Sequence, residues 1–125
     1  MATVDILRID LYTGEFALFK AGAAPTFLLR GRTVQRMEAV SFPVGILKNV
    51  NLERQVGKLS AGDLVLTVSD GVTATGTEWI EAELELHAAD TPRELAARIA
   101  REAKRRRIDG RSDDITVVAV RMEEG

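Results

Sequence analysis

Apolar residues alternate with polar ones in short runs through the first half of the chain and recur at helical spacing near its end. The segment ATVDILRIDL (2–11) alternates imperfectly and is rich in β-branched residues. YTGE then turns the chain and FALFKAG (16–22) resumes the pattern, which predicts a hairpin. Val4 and Ile6 fall on one face of the first strand and Leu7, Ile9 and Leu11 on the other, as expected for a sheet covered on both sides. TFLLR (26–30) and TVQRM (33–37), joined through Gly31 and entered at Pro25, predict a second hairpin. FPVGIL (42–47) reads as a short apolar loop or edge segment, a strand is expected near 50–57, and GKLSAGD (57–63) reads as a loop. LVLTVSDGV (64–72) opens with a buried strand over 64–69, and SDDITVVAV (112–120) supplies a last one.

The clearest helix begins at TPRE (91–94). There Thr91 can cap, Pro92 suits the first helical position and Glu94 can complete a capping box. Leu95, Ile99 and Ala103 form its apolar stripe, and Lys104, Arg105, Arg106 and Arg107 complement its negative end before Gly110. A second helix is expected between 76 and 86, with Trp79, Ile80 and Leu84 on one face and Thr75 and Glu78 resembling a cap. Hairpins followed by helices and a final strand suit an α+β layered domain better than a doubly wound parallel sheet. The helices are too few to cover both sheet faces.

Composition narrows the function classes. A chain of 125 residues with 46% hydrophobic content suffices for one globular domain. A formal net charge of -2 provides no broad field for nucleic acid or an anionic membrane, so a charged ligand must be recognised locally. The absence of cysteine removes disulfide, thiolate and zinc–thiolate chemistry. No apolar run approaches the roughly 20 residues of a membrane-spanning helix. His87, the single histidine, has no matching ligand set for zinc and is expected at the surface without a role.

The chemistry-bearing feature is a pair of strands with carboxylates at their tips. If 64–69 and the strand after 112 pair antiparallel, Asp70 at the end of one and Asp113 at the start of the other share a sheet edge. Mg²⁺ and Mn²⁺ favour oxygen ligands and retain waters, so a few strand-tip carboxylates can hold them, and such a site suits phosphate chemistry. Gly71 would let the backbone approach a ligand or take an unusual turn. Asp-Gly is also a common turn dipeptide, and an Asp before a strand often only organises a loop. Asp5 and Asp10 flank or interrupt a strand and are read as exposed.

SDGV (69–72) and DDIT (113–116) resemble the two C-terminal metal motifs of metal-dependent phosphatases of the protein phosphatase 2C type. ATVDILRIDLYTGE (2–15), FKAGAAPTFLLR (19–30), FPVGIL (42–47) and LSAGDLVLTVSDGV (59–72) resemble, in order, the stage II sporulation protein E branch of that family. The resemblance implies a partial α-β-β-α sandwich with mostly antiparallel sheets, in which 1–125 is the C-terminal portion of a single phosphatase domain whose N-terminal part is missing. It implies Asp70 and Asp113 as metal ligands, with Asp114 and Gly71 supporting them from beside the ions, and two Mn²⁺ or Mg²⁺ in the complete domain. The bridging carboxylate is expected outside this chain, so the fragment alone is expected to be inactive.

For the whole protein, the resemblance implies a serine phosphatase in which metal-activated water attacks phosphorus directly. The implied substrate is a phosphorylated anti-anti-sigma factor of sporulation, and the implied location is the cytoplasmic side of a membrane. The fragment itself is expected to be soluble and to contact neither nucleic acid nor membrane. One alternative is a noncatalytic regulatory or oligomerisation module with the same fold. Another is a fragment that self-associates through an exposed sheet edge or an uncovered face.

Overall fold

The computed structural model describes residues 4–21, 24–37, 53–107 and 115–123. Two antiparallel sheets stack face to face. The first has the order β1-β2-β5, with β1 at Val4–Ile9, β2 at Glu15–Ala21 and β5 at Glu53–Lys58. The second has the order β4-β3-β6-β7, with β3 at Thr26–Arg30, β4 at Thr33–Met37, β6 at Leu64–Val68 and β7 at Val117–Arg121. Helices α1 (Asp70–Thr73), α2 (Glu78–Leu86) and α3 (Pro92–Arg106) lie between β6 and β7 in the chain.

Strand alternation sorts the apolar side chains into two cores. Phe16 and Leu18 of β2 meet Leu28, Met37 and Val65 of the second sheet, with Leu59 joining them and Leu7, Ile9 and Met122 at the margin. On the opposite face of the second sheet, Phe27, Leu29, Leu64, Leu66 and Val68 meet the helices through Ile80, Leu84, Leu95, Ile99 and Ala103. The second sheet is thus covered on both faces, which is why β3 and β6 are apolar almost without interruption. The described layers are sheet, sheet and helix, three of the four layers of an α-β-β-α sandwich.

Several expectations need adjustment. The strand expected over 2–11 stops at Ile9, because the Asp10 carboxylate accepts the backbone N–H groups of Tyr12 (2.9 Å) and Thr13 (3.2 Å) and bends the chain. Leu11 therefore lies in a turn and is 80% exposed, instead of sharing a face with Leu7 and Ile9. Gly14 closes this turn at φ 78° with its backbone against the Leu59 carbonyl, where a Cβ has no room. Nor is β1 covered on both faces by the described residues: Ile6 is 50% exposed, as is Val56 on β5 at 65%. The FPVGIL segment (42–47) lies outside the described residues.

The helices follow their signals more closely. The Thr91 hydroxyl accepts the Glu94 N–H at 3.2 Å, Pro92 takes the first helical position, and Lys104, Arg105 and Arg106 occupy the last turn of α3. Helix α2 begins after Thr77 instead of at a Thr75 cap, and Thr77 makes no side-chain cap bond. His87 ends α2, half-buried between Glu83 (3.5 Å) and Asp90 (3.7 Å).

Candidate metal centre

Val68 and Val72 are both buried in the core under the helices, and the chain must turn between them without leaving the sheet edge. It does so through Ser69, whose extended backbone (φ -81°, ψ 165°) directs Asp70 into the first position of the four-residue helix α1. Gly71 is buried inside that helical turn and is not among the described glycines with positive φ. The unusual conformation expected there is therefore not adopted. What the small residue contributes is a helical turn that presses Val72 into the core.

Asp70 itself is exposed. Its backbone carbonyl accepts the Ala74 N–H (2.9 Å) and the Thr73 hydroxyl (3.3 Å), while its carboxylate has no hydrogen bond or ion pair among the described residues. A solvated carboxylate with no competing partner among the described residues, just past the end of a buried strand, is a suitable donor for a hard cation.

Strand β7 pairs antiparallel with β6 in a register that sets Val68 opposite Val117. Beyond that pair, the Ser69 N–H donates to the Thr116 carbonyl (3.0 Å) and the Thr116 N–H donates to Ser69 Oγ (3.0 Å). The end of β6 and the approach to β7 are thus clamped at one edge, as the antiparallel expectation required. Asp113 and Asp114 themselves lie outside the described residues. Among the described residues no group of three or more His, Cys, Asp or Glu could hold a metal ion. Asp5 is described only in its backbone, and Asp10 is committed to its turn.

The sequence reading missed two supports of this edge. Ser69 locks β6 to the chain entering β7. Thr75, read as a helix cap, instead accepts the Trp79 indole N–H (3.1 Å) and donates to the Val72 carbonyl (2.7 Å). No local signal marks either: Ser69 stands at an N-cap position but makes no side-chain cap bond. At the far end of α3, the Arg105 hydrogen bond holds the Glu102 carboxyl down at about 2, against partial desolvation and with help from Arg106. The same bond raises the Arg105 guanidinium.

No helix among the described residues is long and apolar enough to cross a membrane. The family described as stage II sporulation protein E (SpoIIE) matches this chain over residues 1–123. Stage II sporulation protein E of Bacillus subtilis (strain 168) is 30% identical over 98% of this chain, which spans only 16% of that relative. The solved phosphatase domain of the cell fate determinant SpoIIE from Bacillus subtilis, presoaked with Mn, superposes with a TM-score of 0.83 at 30% identity over 99% of this chain and 57% of that one.

The catalytic domain of the serine threonine phosphatase PstP in complex with two manganese ions shares the fold, with a TM-score of 0.76 at 20% identity over 98% of this chain and 59% of that one. Together these likenesses identify the two stacked sheets as part of a phosphatase 2C-type sandwich. Since the match runs through almost its whole length, the chain belongs to the stage II sporulation protein E family.

Proposed function

We propose that residues 1–125 form the C-terminal portion of a phosphatase domain in which Asp70 and Asp113 bind Mn²⁺ or Mg²⁺, with Asp114 and Gly71 supporting that site. The observation that carries this reading is the exposed Asp70 carboxylate, which has no partner among the described residues, beside the edge where β7 begins. Asp113 lies three residues before Thr116 in the chain. At no more than about 3.6 Å of chain per residue, covalent geometry keeps their Cα atoms within about 11 Å. When bound, the ions supply positive charge to phosphoryl oxygens and acidify water. Asp70 contributes an exposed carboxylate just past the end of β6, and Ser69 ties that end to Thr116, three residues after Asp113 in the chain.

In the whole protein this arrangement supports hydrolysis of phosphoserine by direct attack of water on phosphorus. The substrate is a phosphorylated anti-anti-sigma factor of sporulation, and the location is the cytoplasmic side of a membrane. The 125-residue chain alone is inactive, because Asp70 and Asp113 make up only part of the ligand set of a two-ion centre. The exposed Ile6 and Val56 favour a second reading, a noncatalytic module that uses this face for association.

One experiment separates the two. The full-length protein is assayed with Mn²⁺ and the phosphorylated anti-anti-sigma factor, beside the variants Asp70→Asn and Asp113→Asn. A ligand that stabilises the transition state by several kcal/mol makes the expected loss about 100-fold or more in each variant, with folding intact. Undiminished turnover in both contradicts the assignment.

A further inference from the structure

Helix α1 has four residues, too few to hold its shape by its own hydrogen bonds. The direction of Asp70 must therefore be set by what lies behind the helix. Val72 is fully buried, and its carbonyl accepts both the Thr75 N–H (3.2 Å) and the Thr75 hydroxyl (2.7 Å). That hydroxyl in turn accepts the indole N–H of Trp79 at 3.1 Å. Trp79 belongs to α2 and is itself buried. On its other side, the Arg106 guanidinium of α3 stands 5.1 Å from the ring centroid, in cation–π range, and its Nε donates to Glu102 at 2.9 Å.

A continuous set of contacts thus runs from the last turn of α3 through Trp79 and Thr75 to the middle of α1, two residues from Asp70. A buried indole needs a partner for its N–H. Here the partner is the hydroxyl that braces the helix bearing the carboxylate. The Thr75 hydroxyl is the shared group, accepting the Trp79 N–H and donating to the Val72 carbonyl, so its removal leaves the indole N–H without that acceptor.

We propose that Thr75 and Trp79 are positioning residues for the Asp70 carboxylate, holding α1 in the one orientation that presents it to a divalent cation. The proposal rests on the reading of Asp70 as a metal ligand. It differs from simple core filling because it assigns the effect to one hydroxyl and one N–H, not to side-chain volume. Groups that orient a metal ligand typically change metal affinity by about 10-fold to 100-fold when lost.

The test is calorimetric titration of the full-length protein with Mn²⁺, alongside thermal unfolding of each variant. Thr75→Val keeps the volume and removes the hydroxyl, whereas Thr75→Ser keeps the hydroxyl. Trp79→Phe keeps an aromatic ring under Arg106 and removes the N–H. The expected result is Mn²⁺ affinity weakened about 10-fold or more in Thr75→Val and Trp79→Phe and retained in Thr75→Ser. Thr75→Val should add no further loss in an Asp70→Asn background, because the two act through one group.

If Asp70→Asn weakens Mn²⁺ binding but Thr75→Val and Trp79→Phe bind like the parent, the positioning role is overturned and the ligand reading stands. If Asp70→Asn itself leaves Mn²⁺ binding unchanged, the ligand reading falls and the positioning role with it. Should Thr75→Val fail to fold, Trp79→Phe and Thr75→Ser decide the matter in the same titration.

Discussion

Ser69 and Thr116 exchange two hydrogen bonds across the end of the β6–β7 ladder, one through the Ser69 N–H and one through its hydroxyl oxygen, each 3.0 Å long. The second bond extends the pairing one residue past the last strand pair, Val68 and Val117, to the point where β6 gives way to the helix bearing Asp70. Ser69→Ala removes the acceptor and leaves the Thr116 N–H to water. Chemical denaturation followed through Trp79 should show a loss of up to about 1 kcal/mol, and the Thr116 amide should exchange faster with solvent. Unchanged exchange at Thr116 would show that the hydroxyl is not what holds this edge.

The two-core arrangement makes a second prediction. Ile99 is fully buried between α3 and the second sheet, so Ile99→Ala should cost about 2–5 kcal/mol of stability, with the spread set by how far the helix can settle into the space. Val56 is apolar but 65% exposed on the outer face of the first sheet, and Val56→Thr should change stability by no more than about 0.5 kcal/mol. Comparable losses at the two positions, measured by the same denaturation, would mean that the outer face is packed against something in this chain.

Glu102 gives a third prediction, in pH. Its carboxyl lies at about 2 in the folded protein against an ordinary 4.5, chiefly through the Arg105 hydrogen bond. A depressed carboxyl favours the folded state at pH values above its ordinary one and ceases to do so as pH falls through the folded value. Glu102→Gln should therefore be less stable than the parent at neutral pH, with the difference shrinking from pH 4.5 towards about 2. A difference that is constant across that window would assign the effect to packing instead of charge.

Much of this fold is legible in the order of apolar residues, and the exceptions are physical. Helix α3 announces itself because Thr91, Pro92 and the Leu95–Ile99–Ala103 stripe agree locally with the packing that finally stabilises it. The antiparallel pairing of β6 with β7 was legible too, in two apolar runs whose polar tips stand at opposite ends along the chain. Leu11 misleads because the Asp10 side chain diverts the backbone just where the alternation would continue.

Helix α1 was hidden because Ser-Asp-Gly reads equally as a turn. What decides is the burial of Val72, a tertiary effect. The role of Thr75 was hidden for the same reason: an indole from the next helix takes the hydroxyl that local pattern assigns to a cap. The part of the candidate site that concerns Asp113 and Asp114 rests on the antiparallel pairing and the family resemblance, because both residues lie outside the described ones.

The central claim is that the edge clamped by Ser69 and Thr116 is a cation site shared by Asp70 and Asp113. Anomalous diffraction from crystals of the full-length protein soaked in Mn²⁺ tests it most directly. The account predicts a manganese peak at this edge with oxygens of both carboxylates within coordination distance, and its loss in Asp70→Asn. A manganese ion bound elsewhere, or at this edge with neither carboxylate among its ligands, would contradict it.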